Sequence, residues 1–372
     1  MRFSRTILFI SFLFLLLLLT NLCSKKSGYP VRTEVVAGVK VITNPEYPRG
    51  GKVTYQLEEE LSIGGDQLDE NYTLNRPRYV KVAEDDTIYV LDIGDICIKV
   101  YDNQGQYLRT IGREGQGPGE FNRFFDCAIG SDGIIYILDS GNFRVSIMDA
   151  NGIFIKSYRV SGGLPMHIMM DNNNFIYYEI RFREEKKSKM SISRYNTNGE
   201  EVLKYGNFKV VQPVVKQTKT GSIATSSRVA PHTVWTVDQE GKLYAGYGDK
   251  YQISVYNPDG KISFKFGRDF APIPDKYYKG EPNQHKYMSA FTVITTWLFD
   301  ENGNIWIEIF PEEEAADIIY DIFSPEGIYI KQAYVKHRIF QLKNGKAYSI
   351  VTTDEGYRIV KRFLMVEKSK EE

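Results

Sequence analysis

Two stretches of this chain are written on one template. Residues 89–105 read YVLDIGDICIKVYDNQG and residues 136–152 read YILDSGNFRVSIMDANG: an aromatic, a Leu-Asp pair, a Gly, an alternating apolar run, then Asp-x-x-Gly. Such self-similarity marks a chain of equal units that bury their apolar faces against one another. The aromatic after each tight turn recurs six times, at Tyr89, Tyr136, Tyr177, Tyr244, Trp306 and Tyr348. The second turn recurs five times, at Gly105, Gly152, Gly199, Gly260 and Gly327, and the sixth unit ends as YRIVKRFLMVEK without one.

Each unit reads as strand, tight turn, strand, loop, strand, tight turn, strand. Alternation in VKVAEDDTIYVL and IKVYDNQGQYLRTI has the two-residue period of strands, and the turns carry Asp, Asn and Gly, which tolerate positive φ. The predicted fold class is all-β: a six-bladed β-propeller of four-stranded antiparallel blades. The sixth unit lacks a fourth strand. The segment Tyr55–Gly65 lacks three predecessors, and its end, Ser62-Ile63-Gly64, matches the fourth-strand ends Thr110-Ile111-Gly112 and Lys265-Phe266-Gly267. An N-terminal strand completing the last blade closes the ring; a solenoid would not need it. The expected organisation is a leader over 1–23, a tether with a small hairpin over 24–52, a propeller over 53–367 with its closing strand at 53–65, and a tail over 368–372.

With these residues laid out, the chain resembles the NHL-repeat group of six-bladed propellers. Asp139, Asn142, Arg144 and Val145 follow the Asp, Asn-x-Arg-Val pattern, and Gly115 to Phe121 (GQGPGEF) follows the inter-blade loop. In blade 1 Asp92 follows the pattern, while Asp95 and Ile98 stand where Asn and Arg would; blades 3 to 6 keep only the turns. The leader, the Asn44-Pro45 segment and the closing strand also resemble exported propeller proteins of bacteria. The resemblance implies a fold and a compartment; NHL propellers serve as binding platforms, lyases and scaffolds. It also implies that Asp139 and Arg144 tie the strands of a blade together.

The N-terminus is a separate object. Arg2 and Arg5 precede ILFISFLFLLLLL, Ile7 to Leu19, and Cys23 follows. This is the layout of an export signal, too short to span a bilayer, which needs about 20 apolar residues. Cys23 is the lipidation candidate, although Leu22 is larger than the residue that precedes a lipidated Cys; ordinary cleavage and an uncleaved anchor stay open. All three place the chain outside the cytoplasm, in the cell envelope, periplasmic or membrane-anchored, with membrane association through the N-terminus only. Cys97 and Cys127 lie in apolar strand-like runs and read as buried free thiols or one disulfide, not as a disulfide framework or a zinc cluster. Lys+Arg and Asp+Glu are 47 each, so no net field draws the chain to nucleic acid.

Function is expected on one face. The tight turns form one face; the longer loops, near Arg181–Met190, Phe208–Pro231, Arg268–Met288 and Phe310–Asp317, gather on the other. Tyr277, Tyr278, Lys279, His285, Lys286 and Tyr287 combine aromatic and basic groups suited to a protein, peptide or glycan partner. His167, His232 and His337 stand near the starts of innermost strands, where His167 and His232 are channel-mouth candidates; the three are out of register with one another. The leading expectation is a binding or scaffolding module working through the long-loop face, with no cofactor and no assigned catalytic residue. The alternative is a lyase or lactone hydrolase with a divalent metal in the channel.

Overall fold

The structure, a computed structural model, describes residues 31–65, 68–185, 187–210, 214–218, 221–225, 231–271, 289–290, 297–310 and 317–369. Its blades, with strands lettered a to d from the channel outward, follow the sequence units. Blade 1 is Pro77–Val82, Ile88–Asp92, Cys97–Tyr101 and Tyr107–Ile111; blade 2 is Phe124–Ile129, Ile135–Asp139, Arg144–Met148 and Phe154–Arg159. Blade 3 is Leu164–Met170, Ile176–Glu184, Lys187–Tyr195 and Glu201–Phe208; blade 4 is Thr233–Val237, Leu243–Tyr247, Gln252–Tyr256 and Ile262–Arg268. Blade 5 is Leu298–Phe299, Ile305–Ile309, Ile318–Phe323 and Tyr329–Val335; blade 6 supplies Ile339–Lys343, Lys346–Thr352 and Arg358–Ser369.

The fourth strand of blade 6 is Lys52–Ile63, antiparallel to Arg358–Ser369 from Val360↔Ile63 to Ser369↔Val53. The ring is closed as its sequence requires. This strand also does something the repeat does not announce: its first residues run parallel to blade 5, Gln332↔Lys52 to Val335↔Tyr55. One segment thus joins blades 5 and 6 into an eight-stranded sheet.

The hairpin upstream, Arg32–Val36 with Val39–Asn44, does not hang free. Its second strand lies parallel on strand d of blade 4, Lys40↔Phe264 to Asn44↔Arg268. Asn44, buried, is the pin: its Nδ2 donates to the carbonyls of Gly267 and Gly327, both at 2.8 Å, and its Oδ1 accepts the Tyr329 N–H at 2.9 Å. One amide side chain therefore bonds blades 4 and 5 at once.

The repeated turn has a local cause. Asp102 Oδ1 accepts the N–H groups of Gln104 and Gln106 at 2.8 Å, and Asp149 and Asn196 repeat the arrangement. The Gly that follows sits at φ 79° in blade 1 and 82° in blades 2 and 3, a region costly to residues with a Cβ. The repeated aromatic has a cause too. Tyr177 and Tyr244 donate their hydroxyls, and Trp306 its Nε1–H, to the Asp six residues earlier, at 2.9, 3.2 and 3.1 Å. The same Asp caps the a–b turn, so the aromatic's polar tip is satisfied where its ring is buried.

Packing is between blades. Leu91, Ile98 and Val100 of blade 1 meet Cys127, Ile135 and Ile137 of blade 2, and each fully buried Leu or Ile contributes about 1.5–3 kcal/mol. Cys97 and Cys127 are free and buried. Burial pushes both thiols up to about 12, so the nucleophilic thiolate is scarce at neutral pH. Iodoacetamide at pH 8 is therefore expected to leave Cys97 and Cys127 unlabelled in the native protein and to label both in 8 M urea, read by peptide mass spectrometry; native labelling would contradict their burial.

Two expectations about loops change. Arg181–Met190 is not a loop: strands b and c of blade 3 continue as a hairpin arm, Arg181↔Met190 to Glu184↔Lys187. In RFRE and KSKM only Phe182 and Met190 pack inward while Arg181, Arg183, Glu184 and Lys187 are exposed, and so few apolar residues mask the strand period. Within Phe208–Pro231 a separate hairpin forms, Val214–Thr218 with Gly221–Thr225.

Candidate functional site

In each blade strand a starts on the long-loop face, so the residues near its start surround one mouth of the channel. Register places Tyr79 opposite Leu91, Asp126 opposite Leu138 and Val234 opposite Gly246, each two residues past its blade's aromatic. His167 lies in the bulge between Pro165 and Ile168, which puts it at the same height opposite Glu179. The Tyr79 ring reaches both sides of this ring of residues: its centroid lies 6.5 Å from His167 of blade 3 and 6.3 Å from Phe340 of blade 6, edge-on to each. An aromatic side chain of blade 1 thus stands between rings of blades 3 and 6.

Beside it is a polar cluster from three blades. Lys81 Nζ lies 3.2 Å from Asp126 Oδ1, and His167 Nδ1 lies 3.6 Å from Asp126 Oδ2. Burial works to raise the Asp126 carboxyl, but the Lys81 ammonium and the imidazole overcome it and hold it below its ordinary value. Burial likewise opposes the Lys81 charge, and Asp126 reverses that and raises its pKa. Both partners are therefore ionised near neutrality. His167 Nδ1 is buried and makes no hydrogen bond within 3.5 Å.

Two buried carboxylates stand one strand further out, and the sequence reading missed them. In strand b, where blades 1 and 2 place Leu91 and Leu138, blades 3 and 5 place Glu179 and Glu308, at 1% and 4% exposure. Glu179 accepts from Arg181 Nε at 2.9 Å and from Trp235 Nε1 of blade 4 at 2.8 Å. Glu308 takes both Nε and Nη2 of Arg338, at the start of blade 6, at 2.9 and 2.8 Å. Aligning the strand b segments IYVL, IYIL, IYYE and IWIE exposes the exchange of Leu for Glu; only the structure supplies the partners. Both glutamates are fully engaged across blade boundaries.

Asp139 and Arg144 are tied into the scaffold by geometry. Asp139 accepts the Asn122 N–H, the Asn142 amide and Arg144 Nε, and Arg144 donates its Nη groups to the carbonyls of Gln116, Gly117 and Glu120. They clamp the loop between blades 1 and 2.

Of the channel-mouth candidates, His167 joins Asp126 at the shared height. His232 precedes strand a of blade 4, two residues before Val234, and so stands nearer the surface; its carbonyl accepts the Gly248 N–H at 3.0 Å. Among the described residues no three His, Cys, Asp or Glu side chains are grouped to hold a metal ion. Lys81 on the Asp126 carboxylate also works against a cation there. Tyr277, Tyr278, Lys279, His285, Lys286, Tyr287 and Cys23 lie outside the described residues. Arg268, counted with the loop, belongs to blade 4 and is buried against Asp321 of blade 5, Nε to Oδ2 at 2.7 Å.

The tight-turn face also has a hollow, of about 560 Å³, between blades 4, 5 and 6. Its half-buried acids are already engaged: Asp238 by the Tyr244 hydroxyl and the Lys242 N–H, and Asp300 by Trp306.

Four-stranded sheets around a channel, with the last completed from the N-terminus, define a six-bladed β-propeller. Residues 69–321 match the DUF5128 family, described as a 6-bladed beta-propeller, and the chain belongs to it. No curated protein matches the sequence. Among solved structures, a Bacteroides fragilis protein named provisionally as exported is 9% identical, with 88% of this chain and 98% of that one covered at a TM-score of 0.58. A DUF4221 family member from Bacteroides vulgatus is 11% identical, with 85% and 99% covered at 0.51. Likeness at these identities is likeness of fold. A virginiamycin B lyase from Staphylococcus aureus aligns at 13% identity over 83% of this chain and 99% of its own, with a TM-score of 0.45.

Proposed function

We propose that the chain is an exported binding module, held at the membrane through its N-terminus, whose long-loop face takes a ligand or partner. One observation supports this reading most: the two faces are unlike in kind. The turns between strands c and d are closed by their own Asx hydrogen bonds, whereas the opposite mouth presents Tyr79, His167 and the start of every described strand a. Export follows from the leader, with Cys23 as the lipid attachment point. The NHL-like features of blades 1 and 2 serve the scaffold. Tyr277, Tyr278, Lys279, His285, Lys286 and Tyr287 extend the binding face.

The metal-dependent enzyme has one observation in its favour, the Asp126–His167 contact. The Lys81 ammonium on the same carboxylate weighs against it, so binding is the preferred reading.

A test compares the intact protein with two variants on glycan and peptide arrays. In one, residues 272–288 become a Gly-Ser linker; this segment is chosen because a deletion from 268 would remove the buried Arg268 and confound binding with stability. In the other, Gln104→Arg and Asn151→Arg alter the tight-turn face. Binding lost only in the first supports the reading. Binding lost only in the second overturns it.

A further inference from the structure

The hairpin on blade 4 leaves one strand edge open. Arg32–Val36 is the end strand of its sheet and is exposed along its whole length, Val35 by 71% and Val36 by 52%. An open edge presents unpaired backbone groups and invites another strand. The outer edges of blades 1, 2 and 3 are disturbed. Their d strands pair with strand c through register shifts, at Val100/Tyr101, at Ile147/Met148, and at Ile192/Ser193 and Arg194/Tyr195. Such bulges twist an edge away from straight pairing. Arg32–Val36 instead pairs with Val39–Asn44 in unbroken register, from Arg32↔Thr43 to Val36↔Val39, and neither Pro nor Lys stands within it.

The backbone directions along this edge follow from the turn. Ala37 and Gly38, at φ 50° and 81°, make a two-residue hairpin turn, so Val36 and Val39 are the hydrogen-bonded pair that closes it. In an antiparallel pair such positions alternate. Arg32, Glu34 and Val36 therefore bond inward to the second hairpin strand, while Val31, Thr33 and Val35 turn their N–H and C=O groups outward. The far side of the second strand agrees. The Asn44 carbonyl accepts the Asp269 N–H at 2.9 Å, so the even-numbered residues of that strand face blade 4 and the odd-numbered ones face Arg32–Val36.

We propose that this edge pairs with the same edge of a second copy of the chain, antiparallel about a two-fold axis at Thr33. Outward residues must meet outward residues, which leaves few registers. With the axis at Thr33, Thr33 meets Thr33, Val31 meets Val35, and Arg32 stands opposite Glu34 on both sides of the axis. An axis at Arg32 or at Glu34 would set like charges face to face, and one at Val35 would run into the turn. Opposite charges in register stabilise a strand pair and like charges destabilise it, so the strand is complementary to itself in one register. Arg32 already donates to Asp269 at 2.5 Å, and both side chains are exposed; the guanidinium fork has donors enough to span Asp269 and Glu34 of the second copy. The two-fold axis closes the assembly at two. A pair of five-residue strands is a small interface, so the dimer is weak in solution, with a dissociation constant on the order of 100 μM. The proposal does not depend on what the long-loop face binds.

The experiment is sedimentation equilibrium of the chain from Ser24, which keeps every described residue, between about 5 μM and about 1 mM in about 50 mM NaCl, where exposed charge pairs are only weakly screened. The chain is expected to pass from monomer to dimer across this range and no further. Thr33→Pro should abolish the dimer, because the ring removes an outward N–H and stands where the second strand must lie. The Thr33 N–H makes no bond within the hairpin, so the urea midpoint should be unchanged. Glu34→Gln keeps the side-chain shape at an exposed position and should weaken the dimer by roughly fivefold, through loss of both charge pairs. A chain that stays monomeric at about 1 mM would overturn the proposal. A dimer indifferent to Thr33→Pro would place the contact elsewhere and overturn it too. A dimer strengthened by Glu34→Gln would mean that the two Glu34 side chains face each other, and the proposed register would fall.

Discussion

Asp321→Ala is expected to destabilise the propeller by about 3–5 kcal/mol, the cost of removing one partner from a buried ion pair. Asp321 is fully buried and receives four hydrogen bonds: Tyr251 and Arg268 of blade 4 at 2.6 and 2.7 Å, and Tyr329 and Gln332 of blade 5 at 2.5 and 3.0 Å. The variant leaves the Arg268 guanidinium uncompensated, with an aromatic ring centroid 4.6 Å away, and strands two tyrosine hydroxyls. Since domains have only about 5–15 kcal/mol in total, the urea midpoint should fall steeply. A second variant identifies the cause. Asp321→Leu with Arg268→Met, Tyr251→Phe, Tyr329→Phe and Gln332→Leu removes Asp321 and all four of its partners together and should recover most of the loss. If the single variant unfolds at the wild-type midpoint, the cluster is not a structural hub.

This hub shows where sequence reasoning stops. Arg268 is followed by Asp-Phe-Ala-Pro and reads as the start of a charged loop; its partner is far along the chain in another blade. The turns read correctly because their chemistry is local: an Asp oxygen reaches its own next residues, and the Gly after it takes positive φ. Closure was legible for a different reason. One blade lacked a strand and one segment lacked a blade, so counting sufficed. Counting could not show that the same segment also pairs with blade 5, or that Val39–Asn44 adds to blade 4 in parallel, because both pairings depend on which outer edges the ring leaves open.

The candidate site was legible in part. The position of His167 near the start of a strand a pointed to the channel mouth, and the structure brings it to Asp126. The histidines are unequally spaced in the sequence, and in the structure His167 lies in the bulge at Pro165–Ile168 while His232 precedes Val234 by two residues. Tyr79 and Lys81 gave no signal, since TIYV-type units place apolar or polar residues there without distinction. Their meaning comes from convergence of strands a from blades 1, 2, 3 and 6, which no single repeat records.

The largest effect is expected from the closing strand. Chains beginning at Val31, Pro45 and Gly64 form a graded series. The first retains every described contact. The second loses the hairpin on blade 4 and the Asn44 bonds to Gly267, Gly327 and Tyr329, and should fold with a lowered urea midpoint. The third loses Lys52–Ile63, ten residue pairs with blade 6 and four with blade 5. At about 1 kcal/mol net for each ladder hydrogen bond, that loss is comparable with the whole stability of a domain. It also uncovers the edges of two blades and the apolar faces that Val53 and Ile63 bury. The chain from Gly64 should therefore show no cooperative transition in urea and should bind a dye specific for exposed apolar surface. A synthetic peptide of residues 52–63 should restore a transition whose midpoint rises with peptide concentration, as mass action requires when the peptide binds only the folded ring. A cooperative transition at the wild-type midpoint without the peptide would mean that the ring is held by its blade interfaces alone and that the strand is an ornament on its rim.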